Sequence, residues 1–200
     1  MINLYDELPK SIKYRDKEIK ILPYFNRVIF CLDVFKSKEY TEAEKTNICF
    51  DVLVEKKIFD RYTFGDRVQI LNIIFNVLFG EKEKSKSKKT FDFSQDAKYI
   101  YAGFMQTYGI DLFNYKNKLH WLKFISLFQG LPQDTKIMQI IDIRTRPIPA
   151  ADKYNSEYIS NLLKLKAEYQ LELTQEEREK EIQETLGSLF GKLKAMAEKR

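Results

Sequence analysis

Glycine and proline are scarce in this 200-residue chain, at seven and five residues. A sandwich or barrel of many short strands needs a turn roughly every ten residues, and turns draw heavily on these two residue types. The supply is too small for such a fold. Cysteine and histidine are scarcer still. Cys31 and Cys49 are the two cysteines and His120 the one histidine, with no CxxC or HxxxH spacing. Zinc ligation within one chain is therefore not expected, and both thiols are expected free in a reducing cytosol.

Long apolar runs are missing too. The longest, Val68 to Phe79, covers twelve residues and contains Gln69, Asn72 and Asn76. A bilayer span needs about 20 predominantly apolar residues, so no membrane crossing is expected. Met1–Glu7 shows neither a basic nor an apolar leader region, and no signal peptide is expected. Nor is there a strong excess of one charge. Thirty-four basic and 29 acidic residues leave +5, and residues 80–90 alone carry five lysines against two glutamates. A folded nucleic-acid-binding face more often spreads its basic stripe, so nucleic acid is a weak candidate partner.

What the chain does have is apolar and aromatic material. Hydrophobic residues make up 44%, with 15 Phe and 12 Tyr. That excludes a disordered protein, and at this length roughly 70% of the unfolded surface can be buried without staples. The fold class expected is mainly α: a multi-helix bundle with a short N-terminal β-hairpin and a C-terminal helical extension.

The hairpin is expected over residues 11–22. Ser11–Tyr14 and Glu18–Leu22 alternate in period two about Arg15-Asp16-Lys17, between Pro9 and Pro23. From Tyr24 the period becomes helical, with Val28, Cys31, Leu32 and Phe35 on one face. Thr41-Glu42-Ala43-Glu44 is a capping-box pattern opening a helix to about Lys56. Residues 66–79 form the most hydrophobic helix, apolar around most of its circumference except for Asn72 and Asn76. Such a helix is either the centre of the core or partly covered by another chain. Its Ile70, Ile74, Phe75 and Leu78 are candidate partner-binding residues.

Residues 80–90 break every periodicity and read as a flexible lysine-rich loop. Beyond it, Ser94 or Asp92 can cap a helix in which Ala97, Ile100, Tyr101, Phe104, Met105 and Tyr108 share a face expected to build the core. Gly109 supplies a left-handed stop. A further helix carries Leu119, Leu122, Ile125 and Phe128 and ends at Gly130-Leu131-Pro132; the next, from about Asp134, carries Ile137, Ile140 and Ile141. Pro147 and Pro149 then mark a domain edge, dividing a body (1–150) from a C-terminal extension (151–200). In the extension, Ser156–Tyr169 is helical with Ile159, Leu162, Leu163 and Tyr169 on one side. Thr174-Gln175-Glu176-Glu177 opens a segment that turns from acidic to amphipathic. Its stripe of Leu186, Leu189, Phe190 and Leu193 is the second candidate binding surface, suited to a helix in a groove.

Chemistry is hard to find. GxSxG, Walker, GxGxxG and HExxH motifs are all missing. His120 lies between Leu119 and Trp121, the setting of a hydrogen-bonded packing histidine. Asp92, Asp96 and Asp111 are the carboxylates that a magnesium cluster would use, but Asp92 and Asp111 stand where caps and turns favour aspartate. No catalytic residue, metal ligand or cofactor is expected, and the protein is not expected to be an enzyme.

The stretch Phe91-Asp92-Phe93-Ser94-Gln95-Asp96-Ala97-Lys98-Tyr99-Ile100-Tyr101-Ala102-Gly103-Phe104, followed by Tyr108-Gly109-Ile110-Asp111-Leu112, resembles the signature of a phage family. Leu119-His120-Trp121, Leu127-Phe128-Gln129-Gly130-Leu131-Pro132, Lys136-Ile137-Met138 and the opening Leu4-Tyr5-Asp6-Glu7-Leu8-Pro9 extend the likeness. The family is the "gene product fifteen" group of siphophages and prophages of low-GC Gram-positive bacteria. The resemblance covers most of residues 1–150 and is tightest at 91–145. It marks Phe93, Gln95, Asp96, Tyr99, Ile100, Tyr101, Phe104, Tyr108, Gly109, Asp111, Trp121, Gly130 and Pro132 as signature positions with structural roles.

The resemblance implies a tail assembly chaperone, encoded beside the tape measure protein and acting in the host bacterial cytoplasm. Its implied partners are the hydrophobic, helical tape measure protein and the tail tube protein, with several copies bound along the substrate. Two alternatives stay open: a tail or connector component retained in the virion, and a nucleic-acid-binding accessory using Lys82–Lys89.

Overall fold

A computed structural model describes residues 4–55, 62–80 and 89–172. The chain divides into two compact units, Met1–Pro147 and Ile148–Arg200. It is mainly α, with seven helices and one two-stranded antiparallel hairpin among the described residues.

Strands β1 (Ser11–Tyr14) and β2 (Lys17–Lys20) pair with Tyr14 opposite Lys17. The turn is two residues long, with Arg15 and Asp16 at φ 45° and 59°. Two successive left-handed residues give the I′ geometry, whose twist matches that of the flanking strands. The turn is therefore one residue shorter than the pattern suggested, and Lys17 is a paired strand residue. β2 also ends early, because the chain after it changes partner. Ile21 bridges Val54, and the Leu22 N–H donates to the Leu53 carbonyl at 2.7 Å.

Three helices follow: α1 (Phe25–Lys36), α2 (Glu42–Leu53) and α3 (Phe64–Phe79). The expected capping box opens α2, with the Glu44 N–H donating to Thr41 Oγ1 and the Thr41 N–H to the Glu44 carboxylate. α2 stops at Leu53 rather than near Lys56 because Val54 and Glu55 pair with the chain leaving the hairpin. A second box, Thr63 with Asp66, starts α3 at Phe64. Asp66 also accepts from the Tyr14 hydroxyl at 2.6 Å and pairs with Arg15 at 2.8 Å, so one carboxylate caps α3 and docks the hairpin on it. α1 packs on α2, and α2 on α3. Between α1 and α2, Cys49 Sγ donates to the Cys31 carbonyl at 3.8 Å. Both thiols are free and buried, and the Cys49 contact together with burial holds the Cys31 thiol far above its ordinary pKa.

The remaining helices of this unit are α4 (Ala97–Tyr108), α5 (Trp121–Gln129) and α6 (Lys136–Thr145). α4 packs on α5 and α6, and α5 also meets α1. Gly109 ends α4 in the left-handed region at φ 65°, as its place in the sequence predicted. In the second unit α7 (Ser156–Glu168) has Leu162 buried and Ile159 half-buried, while Leu163 is exposed and lies off the stripe expected for it.

Candidate functional site

The turn between the lysine-rich segment and α4 is densely bonded. Asp92, which is buried, accepts from the Ser94 N–H at 2.9 Å and the Gln95 N–H at 3.1 Å, capping the turn. Its other oxygen takes Lys36 of α1 and Lys89, each at 2.7 Å. Burial alone would raise the Asp92 pKa. The two ammonium groups and two amide donors outweigh it and hold the carboxyl well below the usual carboxylate range. Asp96, the N-cap residue of α4, uses no side-chain capping bond. Its carboxylate instead receives the Arg144 guanidinium through both nitrogens, at 2.7 and 2.8 Å, and the Asp92 N–H at 3.0 Å. Arg144 also donates to the Thr90 carbonyl at 3.1 Å. The two aspartates are thus internal anchors, each already neutralised by cations.

Around this anchor the signature residues build an aromatic core. Phe124 of α5 lies between two parallel rings, Phe25 and Phe104, each 5.0 Å away. Phe93 meets Trp121 at 5.5 Å and Phe128 at 5.9 Å. Ile100, Phe104 and Trp121 are buried, and Tyr99 is half-buried beneath Lys98. The Tyr108 hydroxyl donates to the Leu127 carbonyl at 2.9 Å. A Cβ on Gly130 would stand 3.1 Å from that hydroxyl, close enough that the hydroxyl would have to shift. The Pro132 carbonyl accepts from the Thr135 hydroxyl at 2.7 Å just before α6 begins. The Asp111 carboxylate accepts from the Phe113 N–H and Asn114 Nδ2, at 3.0 and 2.7 Å.

His120 is also structural. Its Nδ1 accepts the Leu122 N–H at 3.1 Å, capping α5, and Nε2 lies 3.0 Å from the Pro9 carbonyl. These partners assign the neutral tautomer with the proton on Nε2. Burial lowers its pKa, against the opposing effect of the Pro9 carbonyl. On either side the backbone is pinned to the N-terminal segment, Phe25 N–H to the Leu119 carbonyl and Trp121 N–H to the Pro23 carbonyl.

The candidate binding residues fare differently. Ile70, Ile74 and Leu78 of α3 are buried core residues, which corrects their assignment to a partner surface. α2 and β1 pack on α3 and take up its apolar side, while Phe75 is half-buried between Phe35 of α1 and Phe79. The exposed apolar residues of α3 are Phe64, Val77 and Phe79. Leu186, Leu189, Phe190 and Leu193 lie outside the described residues, as do the Thr174 capping box and Lys82–Lys88.

Two features escaped the sequence reading. Arg144 follows Ile137, Ile140 and Ile141 at helical spacing, so the apolar stripe of α6 itself placed it toward the interior and called for a buried carboxylate. Met105, expected in the core, is 46% exposed, and Phe113 is 65% exposed with its ring 5.2 Å from Tyr101. No spacing signal marks Phe113, because it sits in an irregular loop.

No three His, Cys, Asp or Glu side chains come together as a metal-holding group among the described residues. None of the helices there is long and apolar enough to cross a membrane. The family model described as Bacteriophage Gp15 protein matches residues 4–171. The chain belongs to the Bacteriophage Gp15 protein family. The match spans the hairpin, the anchored turn and α1 to α7, so the bonded signature residues are those of a family member. No curated protein and no solved structure matches the chain.

Proposed function

We propose that this Bacteriophage Gp15 protein is a non-enzymatic tail assembly chaperone, which holds the hydrophobic, helical tape measure protein in the host cytoplasm and helps recruit tail tube subunits. The observation that carries the reading is the amount of large apolar surface on a well-anchored helical body. Phe30, Phe64, Phe79, Met105 and Phe113 are each between 46% and 65% exposed. Aromatic residues and methionine dominate protein–protein contacts. Several modest apolar contacts along a long substrate add up to avidity, while each can still be released as tube subunits arrive.

Co-expression with the tape measure protein of the same genome, then pull-down at two salt concentrations, tests the proposal. A soluble, salt-resistant complex with several copies per tape measure chain is expected. An insoluble tape measure protein beside a free partner would overturn it, and mass spectrometry of purified virions would then test a retained virion component.

A further inference from the structure

Resting on that reading, and naming the surface it leaves open, we propose that the outer face of α4 and the loop after it form a docking site for an acidic-flanked amphipathic helix of a partner protein. The apolar part is Tyr101, Met105 and Phe113. Tyr101 and Met105 stand one turn apart on α4, and the Phe113 ring is tilted against Tyr101 at 5.2 Å. Ala102 and Gly109, both exposed, flank Met105 and leave the helix backbone open to close approach. The opposite side of α4 is already used, with Ile100, Gly103 and Phe104 buried. Met105 and Phe113 therefore have no part in the core that would account for them. A flexible thioether beside two aromatic rings adapts to varied apolar side chains.

Charge selects the occupant. Lys98 is in helical register with Tyr101, Ala102 and Met105, its ammonium 4.7 Å over the neighbouring Tyr99 ring, and Lys116 stands 4.9 Å over the Phe113 ring. No carboxylate among the described residues pairs with either lysine. Asp111, two residues before Phe113, keeps its charge while accepting from the Phe113 N–H and Asn114, so two lysines stand against one carboxylate. The rim is thus net positive around an apolar centre, complementary to a helix whose leucine face is bracketed by glutamates.

The test uses two fluorescent helical peptides with the same leucine–alanine face, one flanked by glutamates and the other by lysines. The full chain should bind the glutamate peptide at least about tenfold more tightly. Met105→Asp and Phe113→Asp should each weaken that binding by about tenfold or more, with the far-ultraviolet circular dichroism unchanged. Met105→Leu should retain it. Equal binding of both peptides, no binding of either, or indifference to the aspartate variants overturns the site. A concentration-dependent dimer abolished by Met105→Asp would make a second copy the occupant and overturn the assignment as well. Tape measure solubility on co-expression is a separate readout. If the wild type and both variants solubilise it equally, the chaperone reading stands and this surface falls. If none does while the glutamate peptide binds, the site stands and the tape measure partner falls.

Discussion

Arg144 and Asp96 meet through two parallel hydrogen bonds, at 2.7 and 2.8 Å, with side chains 11% and 2% exposed. The pair joins α6 to the start of α4 across 48 positions of sequence. Removing one partner strands the other charge in the interior. Arg144→Ala should therefore cost about 3–5 kcal/mol in a urea melt. Arg144→Lys keeps the charge but loses the fork, so it should recover part of that and no more. A loss below about 1 kcal/mol for the alanine variant would mean that the pair is screened like a surface bridge.

His120 makes the protein acid-sensitive above the range where carboxylates titrate. Its folded pKa lies below the ordinary 6.5, chiefly because it is buried. The unfolded chain then takes up the proton first as pH falls. The stabilisation is complete above about pH 6.5 and is lost as pH drops through the depressed folded value. His120→Asn keeps an N-cap acceptor without an imidazole. Its urea midpoint should fall less than the wild type's between about pH 7.5 and about pH 5; equal slopes would show that His120 does not titrate on unfolding.

At lower pH the same logic applies to Asp92 and Asp66. Asp66 is held below its ordinary value by hydrogen bonds from Tyr14 and Thr63, and Asp92 by Lys36 and Lys89 against the opposing effect of burial. Their stabilisation is present above the unfolded carboxylate pKa of about 3.9 and disappears as pH falls through the folded values. Asp92→Asn should lower the urea midpoint at neutral pH and flatten the acid limb of the stability profile. An unchanged acid limb would assign acid unfolding elsewhere.

Gly109 at φ 65° has open space around its missing Cβ. Strain alone therefore sets the cost of a side chain there. Gly109→Ala should lose about 1–2 kcal/mol and Gly109→Asn less, because asparagine visits this region more readily. Equal costs for the two would point to a steric cause.

Two aspartate substitutions on α3 separate its buried and exposed sides. Ile74 is fully buried and Val77 is 39% exposed. Ile74→Asp should unfold the protein or cost more than about 4 kcal/mol, while Val77→Asp should stay within about 1 kcal/mol of wild type. Thermal melts of the two decide it. A mild effect at Ile74 would restore the expected partner surface on this helix.

Most of the helices were readable from local patterns, because capping boxes, period 3.6 and the glycine stop act over a few residues. Thr41 with Glu44 and the left-handed Gly109 are cases in which three or four neighbours specify the geometry. Boundaries failed where a distant partner intervened. α2 stops at Leu53 since the hairpin takes the next two residues, and the turn tightens to Arg15–Asp16 because register is set by pairing, not by composition.

The sequence alone determined a mainly α body with an N-terminal hairpin, the place of α4 and its stop, and the family to which the chain belongs. These rest on local periodicity and on a run of signature residues. Tertiary structure decided which apolar residues are surface. An almost uniformly apolar α3 cannot announce which faces its neighbours will cover, so Ile70 and Ile74 became core. Met105 stands outside because α4 turns Ile100, Gly103 and Phe104 to the core, and Phe113 because it sits in the loop after that helix.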